Sequence, residues 1–337
     1  MNREKYSRQI LFQPIGPEGQ QKLLRARVVI VGCGALGTAQ ANALVRAGVG
    51  AIRIIDRDFV EESNLQRQLL FDESDAAANL PKAVAAERKL RAINSEVRIE
   101  GLVTDVGGHN IESLVGGFDL VLDGTDNFST RYLINDASIK LGIPWIYGAV
   151  VASYAATMTI VPARTACLAC LFPKSPAGDH ETCDTVGVIA PAVAWAASIQ
   201  TTEALKILLG RFEDLHGSFL SCDLWKNQFQ KITPKLSPEC RVCGHREFQH
   251  LGAGTGATTT LCGRDAVQIS PSEPRNLNLQ SLRERLMPLG EVRSNEYLLR
   301  FQTGKTDLTV FTDGRAIVKG THDPSMARSL YAKYIGS

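Results

Sequence analysis

The sequence contains no apolar run approaching the roughly 18 residues that cross a bilayer. Its opening stretch, MNREKYSRQILFQPIG, has neither the apolar centre nor the cleavage pattern of a secretory signal. These absences predict a cytoplasmic protein with no membrane partner. Charge of one sign is lacking too: 37 Lys and Arg against 35 Asp and Glu leave a net charge of only +2. Such a balance supplies no general attraction for nucleic acid, and none is expected as a partner. The six histidines are scattered, without a His-x-x-x-His pair or a recognisable triad. That weakens a dehydrogenase reading, which wants a placed acid or base beside the hydride acceptor. No internal repeat is visible. The eight cysteines are few for the length, but four fall in C-x-x-C pairs. In a reducing compartment, such pairs point to metal rather than to disulfides.

What is present is length and apolar content. At 337 residues and 44% apolar composition, one large domain plus a smaller one is expected. After a helical leader near Glu18 to Leu24, strands and helices alternate: Val28 to Val31, a helix after Gly37, Ile52 to Asp56, a helix from Lys82 to Ile93, Val97 to Leu102, a short helix near Ile111, Leu120 to Leu122, a helix from Ser129 to Leu141, then PWIYGA. That alternation specifies a Rossmann-like, doubly wound α/β fold with a mostly parallel sheet. Segments Val151 to Pro162 and Gly217 to Pro234 lack crossover helices and predict an antiparallel extension, separated by one long buried helix ending at Gly210. The expected domain spans residues 1–250. The glycine-rich stretch LGAGTGATTT marks a linker over 251–260, and residues 261–337 form a small α+β module.

The run VVIVGCGALG places Gly32-x-Gly34-x-x-Gly37 between a strand and a helix, as a dinucleotide-binding turn requires. Gly34 and Gly37 would let a phosphate and the helix approach the backbone closely. Asp56 ends the second strand, 19 residues past Gly37, where a carboxylate can accept ribose hydroxyls. NAD and ATP both carry that ribose, so the turn alone leaves redox and phosphate chemistry open. The following loop carries Asp58, Asn64, Arg67 and Gln68. With Arg8 and Lys82 these residues acquire a meaning a dehydrogenase does not need, because a triphosphate requires several cations and a metal. Asp126 follows the strand Leu120 to Leu122, and a carboxylate there suits a magnesium ligand; an N-cap of the next helix is the competing role, one that Asp or Asn fills equally well. Asn127 is grouped with the nucleotide-binding residues.

Cys167 and Cys170, with Cys240 and Cys243 about 70 residues on, form two knuckles. Four thiolates fill a tetrahedral zinc site with no open position, so this site is expected to be structural. Cys183 precedes the long helix, whose N-terminus favours a thiolate; a bystander thiol is the alternative.

In order from Lys5 to Gly244, KYSRQI, GCGALG, RAGVG, DRDFVEESNLQRQ, Lys82, DGTDNFSTR, CLACLFP, CDTVGVIAP and CRVCG resemble the ThiF/MoeB/HesA family, bacterial relatives of the ubiquitin-activating enzymes. The resemblance implies an adenylyltransferase that binds MgATP and adenylates the C-terminal glycine of a small ubiquitin-fold sulfur carrier protein, releasing pyrophosphate. It assigns the ribose to Asp56, phosphates to Asn64, Arg67 and Lys82, magnesium to Asp126, and a reach into a partner subunit's site to Arg8, hence a homodimer. Cys183 matches a cysteine proposed to join the carrier through an acyl disulfide, with sulfur coming from a donor such as a cysteine desulfurase. The loop around Lys174 to Thr182 would cover the carrier's tail. Lys5 departs from the family's usual arginine but keeps its charge. The C-terminal module resembles the extension of Gram-positive-type members and lacks the cysteine-bearing loop of a rhodanese. Thiamine thiazole synthesis is the expected pathway; molybdopterin synthesis, or adenylation of a peptide precursor, is the alternative.

Overall fold

The computed structural model describes residues 4–174, 183–252, 258–261, 266–271, 275–304 and 306–336, in two compact units, Met1–Gly252 and Ala253–Ser337.

Among the described residues of the first unit, eight strands form one sheet: β1 (Arg27–Val31), β2 (Ala51–Asp56), β3 (Arg98–Val103), β4 (Leu120–Asp123), β5 (Trp145–Val151), β6 (Tyr154–Ile160), β7 (Phe219–Asp223) and β8 (Gln228–Ile232). Their order is β3-β2-β1-β4-β5-β6-β7-β8. Strands β1 to β5 pair in parallel, and β5 to β8 pair antiparallel. The doubly wound sheet with an antiparallel extension is therefore as the alternation predicts. Ten helices accompany it among the described residues: α1 (Ser7–Ile10), α2 (Gly16–Arg25), α3 (Ala35–Ala47), α4 (Glu73–Ala77), α5 (Lys82–Ile93), α6 (Ile111–Val115), α7 (Phe128–Leu141), α8 (Leu168–Leu171), α9 (Cys183–Val186) and α10 (Ala190–Leu209).

The parallel strands are apolar at consecutive positions because both faces are covered. Val28, Ile30, Ile52, Ile54 and Leu122 pack with Leu44, Leu90 and Ala204 on one face. Val29, Val31, Ile55, Val121 and Trp145 pack with Ile111, Leu133 and Ile134 on the other. No described helix is long and apolar enough to cross a membrane.

Some elements depart from the sequence reading for local reasons. Helix α4 is only five residues long and is made by a reciprocal cap: Asp72 accepts from the Ser74 and Asp75 amides, and Asp75 accepts from the Asp72 amide. The strand expected from Val151 begins instead at Tyr154, because β5 runs through Val151 and the chain turns at Ala152, whose φ is +51°.

The second unit holds β9 (Thr258–Leu261), β10 (Ala266–Ile269), β11 (Glu291–Ser294), β12 (Leu298–Thr303), β13 (Thr306–Phe311) and β14 (Ala316–Lys319), with α11 (Leu279–Leu286) and α12 (Pro324–Tyr334). The sheet order is β11-β12-β13-β14-β10-β9, and every pairing is antiparallel. Its core joins Val267, Leu299, Phe301, Leu308 and Val318 to Leu282, Leu286 and Tyr331. Thr258 to Thr260, expected in the linker, pair instead as part of β9.

Candidate active site

The parallel strands β1, β2 and β4 deliver their C-terminal ends to one edge, where the sheet order reverses between β1 and β4. The glycine turn follows β1. Gly32 has φ +93°, and a Cβ on Gly37 would lie 1.9 Å from the Gly32 carbonyl oxygen, so helix α3 meets the strand backbone with no room for a side chain. Gly124, after β4, also packs closely: its Cβ would fall 2.6 Å from the same oxygen. Sequence reasoning passed over Gly124, although a glycine between two aspartates after a strand is itself a turn signal.

Asp56 is tied into this turn. Its two oxygens accept from the Cys33 amide at 2.6 Å and the Asp58 amide at 2.7 Å. Burial pushes the Asp56 carboxyl up, and Lys82 draws it partly back. Each oxygen retains a second lone pair for a further hydroxyl donor. Lys82, almost fully buried, donates its amide to the Asp58 carbonyl, and its ammonium lies 3.7 Å from the Asp58 carboxylate. Cys33 Sγ contacts the Lys82 carbonyl, so the glycine turn, the end of β2 and the start of α5 meet at one point.

Asn64 and Gln68 are buried beside them. Asn64 Oδ1 accepts from the Glu61 amide, a local cap. Gln68 faces the glycine turn, with Nε2 3.9 Å from where a Gly34 Cβ would stand, and its Oε1 is buried without a hydrogen-bond partner among the described residues. That orphaned oxygen suits a ligand bearing donors, such as a nucleoside. Arg67 is partly exposed and folds back, Nη1 donating to the Ser63 carbonyl at 2.9 Å.

At Asp126 the competing roles separate. Asn127, not Asp126, caps α7, accepting from the Thr130 amide at 2.9 Å. Asp126 is exposed and accepts a long contact, 3.3 Å, from Asn127 Nδ2, which leaves its carboxylate available to a cation. Arg57, which the motif reading did not select, pairs with Asp105 at 2.9 Å, and the charges of Asp105, Asp58 and Asp126 favour its protonated form against burial.

Arg8 is not brought to this group. It is exposed on α1, which follows the buried Tyr6 and is held by Gln9 donating to the Ala47 carbonyl. Ala47 ends α3, whereas the glycine turn begins it, so about 20 Å of helix separates the two places. Cys183 begins α9, but its side chain lies outside the described residues, as do residues 175–182 of the loop expected over the carrier's tail.

Away from the nucleotide edge, Cys167, Cys170, Cys240 and Cys243 bring their sulfurs within 4.8 Å of one another. Neighbouring sulfurs stand 3.9, 3.6 and 3.4 Å apart. A tetrahedron with arms of ~2.3 Å has edges of ~3.8 Å, so the spacing fits one metal ion. The Cys170 thiol is held down to about 4 by its hydrogen bond with Cys167, which raises Cys167 in return, and burial pushes Cys243 up to about 12. The four sulfurs join α8 to the last segment of the first unit.

Comparison with known proteins bears on the fold and the family. A sulfur carrier protein ThiS adenylyltransferase from Bacillus subtilis is 48% identical, with the match covering 98% of this chain and 99% of the relative. A sulfur carrier protein adenylyltransferase from Thermus thermophilus is 40% identical over 73% of this chain and 92% of its own. Among solved structures, Escherichia coli MccB with ATP superposes with a TM-score of 0.63 at 26% identity, covering 72% of this chain and 75% of MccB. Residues 6–242 match the ThiF family, and with a relative this similar along nearly its whole length, the chain belongs to that family.

Proposed function

We propose that this protein is an ATP-dependent adenylyltransferase that activates the C-terminal glycine carboxylate of a ThiS-type sulfur carrier for thiamine thiazole synthesis. The observation that carries the reading is the 48% identity to a ThiS adenylyltransferase along both units, beyond the nucleotide-binding unit alone. An oxygen of the carrier's carboxylate attacks the α-phosphorus of ATP; the bond to the β-phosphate oxygen breaks, and pyrophosphate departs.

The residues divide this work by charge. Asp56 accepts the ribose hydroxyls, while the amides opening α3 at Gly34 to Gly37 face phosphate oxygens. Gln68 and Asn127 line the nucleoside side. Arg67, once turned from Ser63, joins Asn64 and Lys82 on the phosphates, where negative charge grows as the anionic carboxylate approaches. Asp58, paired with Lys82, aims that ammonium. Magnesium, held by Asp126, would neutralise the departing pyrophosphate. Zinc on the four cysteines fastens the fold and takes no part in the chemistry. Arg8, remote from its own chain's site, serves the site of a second subunit in a homodimer. Cys183 acts after adenylation, in sulfur transfer from a donor such as a cysteine desulfurase, and the enzyme works in the cytoplasm.

Purified protein should exchange labelled pyrophosphate into ATP only when a ThiS-type carrier with an intact terminal glycine is supplied. Exchange with a molybdopterin-type carrier alone would reassign the pathway. Exchange with neither would overturn the proposal.

A further inference from the structure

Between Asp123 and Asp126 the chain leaves β4 and turns towards α7, and the carbonyl and both carboxylate oxygens of Asp123 are committed. The Asp123 carbonyl accepts from Gln40 Nε2 at 2.9 Å and Gln200 Nε2 at 3.1 Å, side chains reaching in from α3 and α10. Its Oδ1 accepts from the Thr125 amide at 2.9 Å and the Thr125 hydroxyl at 2.6 Å. Its Oδ2 accepts from Arg131 Nε at 3.1 Å and the Gly148 amide at 3.2 Å.

Arg131 completes the arrangement from α7. Its Nη2 donates to the Thr125 carbonyl at 2.8 Å and the Gly148 carbonyl at 3.0 Å. The guanidinium also lies 5.3 Å from the ring centroids of both Phe128 and Tyr147. Asp123 is fully buried and Arg131 nearly so.

A buried ion pair is weak evidence for stability, because desolvating both charges offsets their attraction. Here the pair does something a hydrophobic replacement could not: it grips the peptide on either side of Thr125, directly before Asp126. Gly124, in the same turn, lies against Gly32 and Gly37. The acidic turn and the glycine turn are thereby locked in one register.

We propose that Arg131, acting with Asp123, is a positioning residue that fixes the Gly124–Asp126 turn so that the Asp126 carboxylate faces a divalent cation bound with ATP. The proposal rests on the assignment of Asp126 as the metal ligand. Arg131 itself touches neither substrate nor metal. Lysine at 131 keeps the charge but loses the fork that holds Asp123 and two carbonyls together.

The test uses the full chain and two variants, Arg131→Lys and Thr125→Val. The second removes only the hydroxyl bond to Asp123 at a partly exposed position, and it keeps the experiment informative if the first folds poorly. Hydrogen exchange on the nucleotide-free protein should show the amides of residues 124–126 and Gly148 exchanging at least tenfold faster in Arg131→Lys, with β1 and β2 unchanged. Manganese binding in the presence of ATP, followed by electron paramagnetic resonance, should weaken by roughly tenfold in Arg131→Lys and severalfold in Thr125→Val. The magnesium needed for half-maximal pyrophosphate exchange should rise in parallel, with the KM for the carrier unmoved. A purely structural role would instead lower thermal stability while leaving manganese affinity intact in the folded fraction, and that result overturns the proposal. Asp126→Asn separates the two assignments. If it leaves manganese binding unchanged, the metal-ligand assignment fails; if it weakens binding while the Arg131 and Thr125 variants do not, the positioning role alone fails.

Discussion

Replacing Gly37 with alanine tests whether the glycine turn is shaped by contact or merely by chain flexibility. Residue 37 lies inside α3 with ordinary helical geometry, so alanine carries no backbone penalty and would raise helix propensity. The obstacle is space. The new Cβ would stand 1.9 Å from the Gly32 carbonyl oxygen and 3.4 Å from Ile30 Cγ2, when real Cβ contacts essentially never fall below 3.0 Å. The atom in the way is backbone, so the helix must lift from β1 by more than an ångström. Overpacking of this kind costs about 1–3 kcal/mol, and an immobile partner puts it at the upper end. For a unit of this size ~3 kcal/mol corresponds to a fall in Tm of roughly 6–12 °C. Because the same shift carries the α3 amides away from the phosphates, exchange per folded molecule should drop by about 100-fold or more. Gly142→Ala is the control: this C-cap of α7 has φ +72° and nothing within 4 Å of the added methyl. It should lose about 1–2 kcal/mol from backbone strain and keep full exchange. Scanning fluorimetry and pyrophosphate exchange on both variants decide the matter. A Gly37→Ala protein with unchanged Tm and exchange within twofold of wild type would refute the reasoning.

Other consequences can be measured independently. Cys167→Ser should lose about one equivalent of zinc by elemental analysis and lower Tm by several degrees; full zinc retention would reject the four-cysteine site. Cys183→Ser should adenylate the carrier at near wild-type rate and fail in thiocarboxylate formation, read by the mass of the carrier; lost adenylation in a folded variant would show the division of labour to be wrong. His216, half-buried against Glu203, is held below its ordinary value of 6.5 by desolvation, which outweighs the pull of that carboxylate. The unfolded chain therefore binds this proton more readily, and the native state loses stability as pH falls through 6.5 towards the depressed value. His216→Asn should flatten the dependence of Tm on pH in that range, and an unchanged slope would remove His216 as its source.

Much of this was legible from residue order, and the exceptions have physical causes. The parallel half of the sheet announced itself because Val28 to Val31 and Ile52 to Ile55 are buried on both faces. Cysteine spacing gave the four-sulfur cluster, since only a fold that returns residues 240–243 to α8 makes such pairs useful. The Asp126 ambiguity was different. Asp and Asn are near-equivalent helix caps, and only the bond from the Thr130 amide to Asn127 distinguishes them. Arg131 was hidden for another reason: an arginine one turn into a helix reads as a solvated surface residue until its aspartate partner is known to be buried. Arg8 was assigned to a partner subunit's site from its motif, and its own chain holds it about 20 Å of helix away from the glycine turn.

The central claim is that the carrier's own carboxylate oxygen forms the new bond to phosphorus. The most direct test labels the C-terminal carboxylate of a ThiS-type carrier with heavy oxygen, runs adenylation followed by transfer of the acyl group to a thiol, and analyses the AMP by mass spectrometry. One labelled oxygen should appear in the AMP for each carrier consumed. AMP free of label, formed at the same rate, would contradict it.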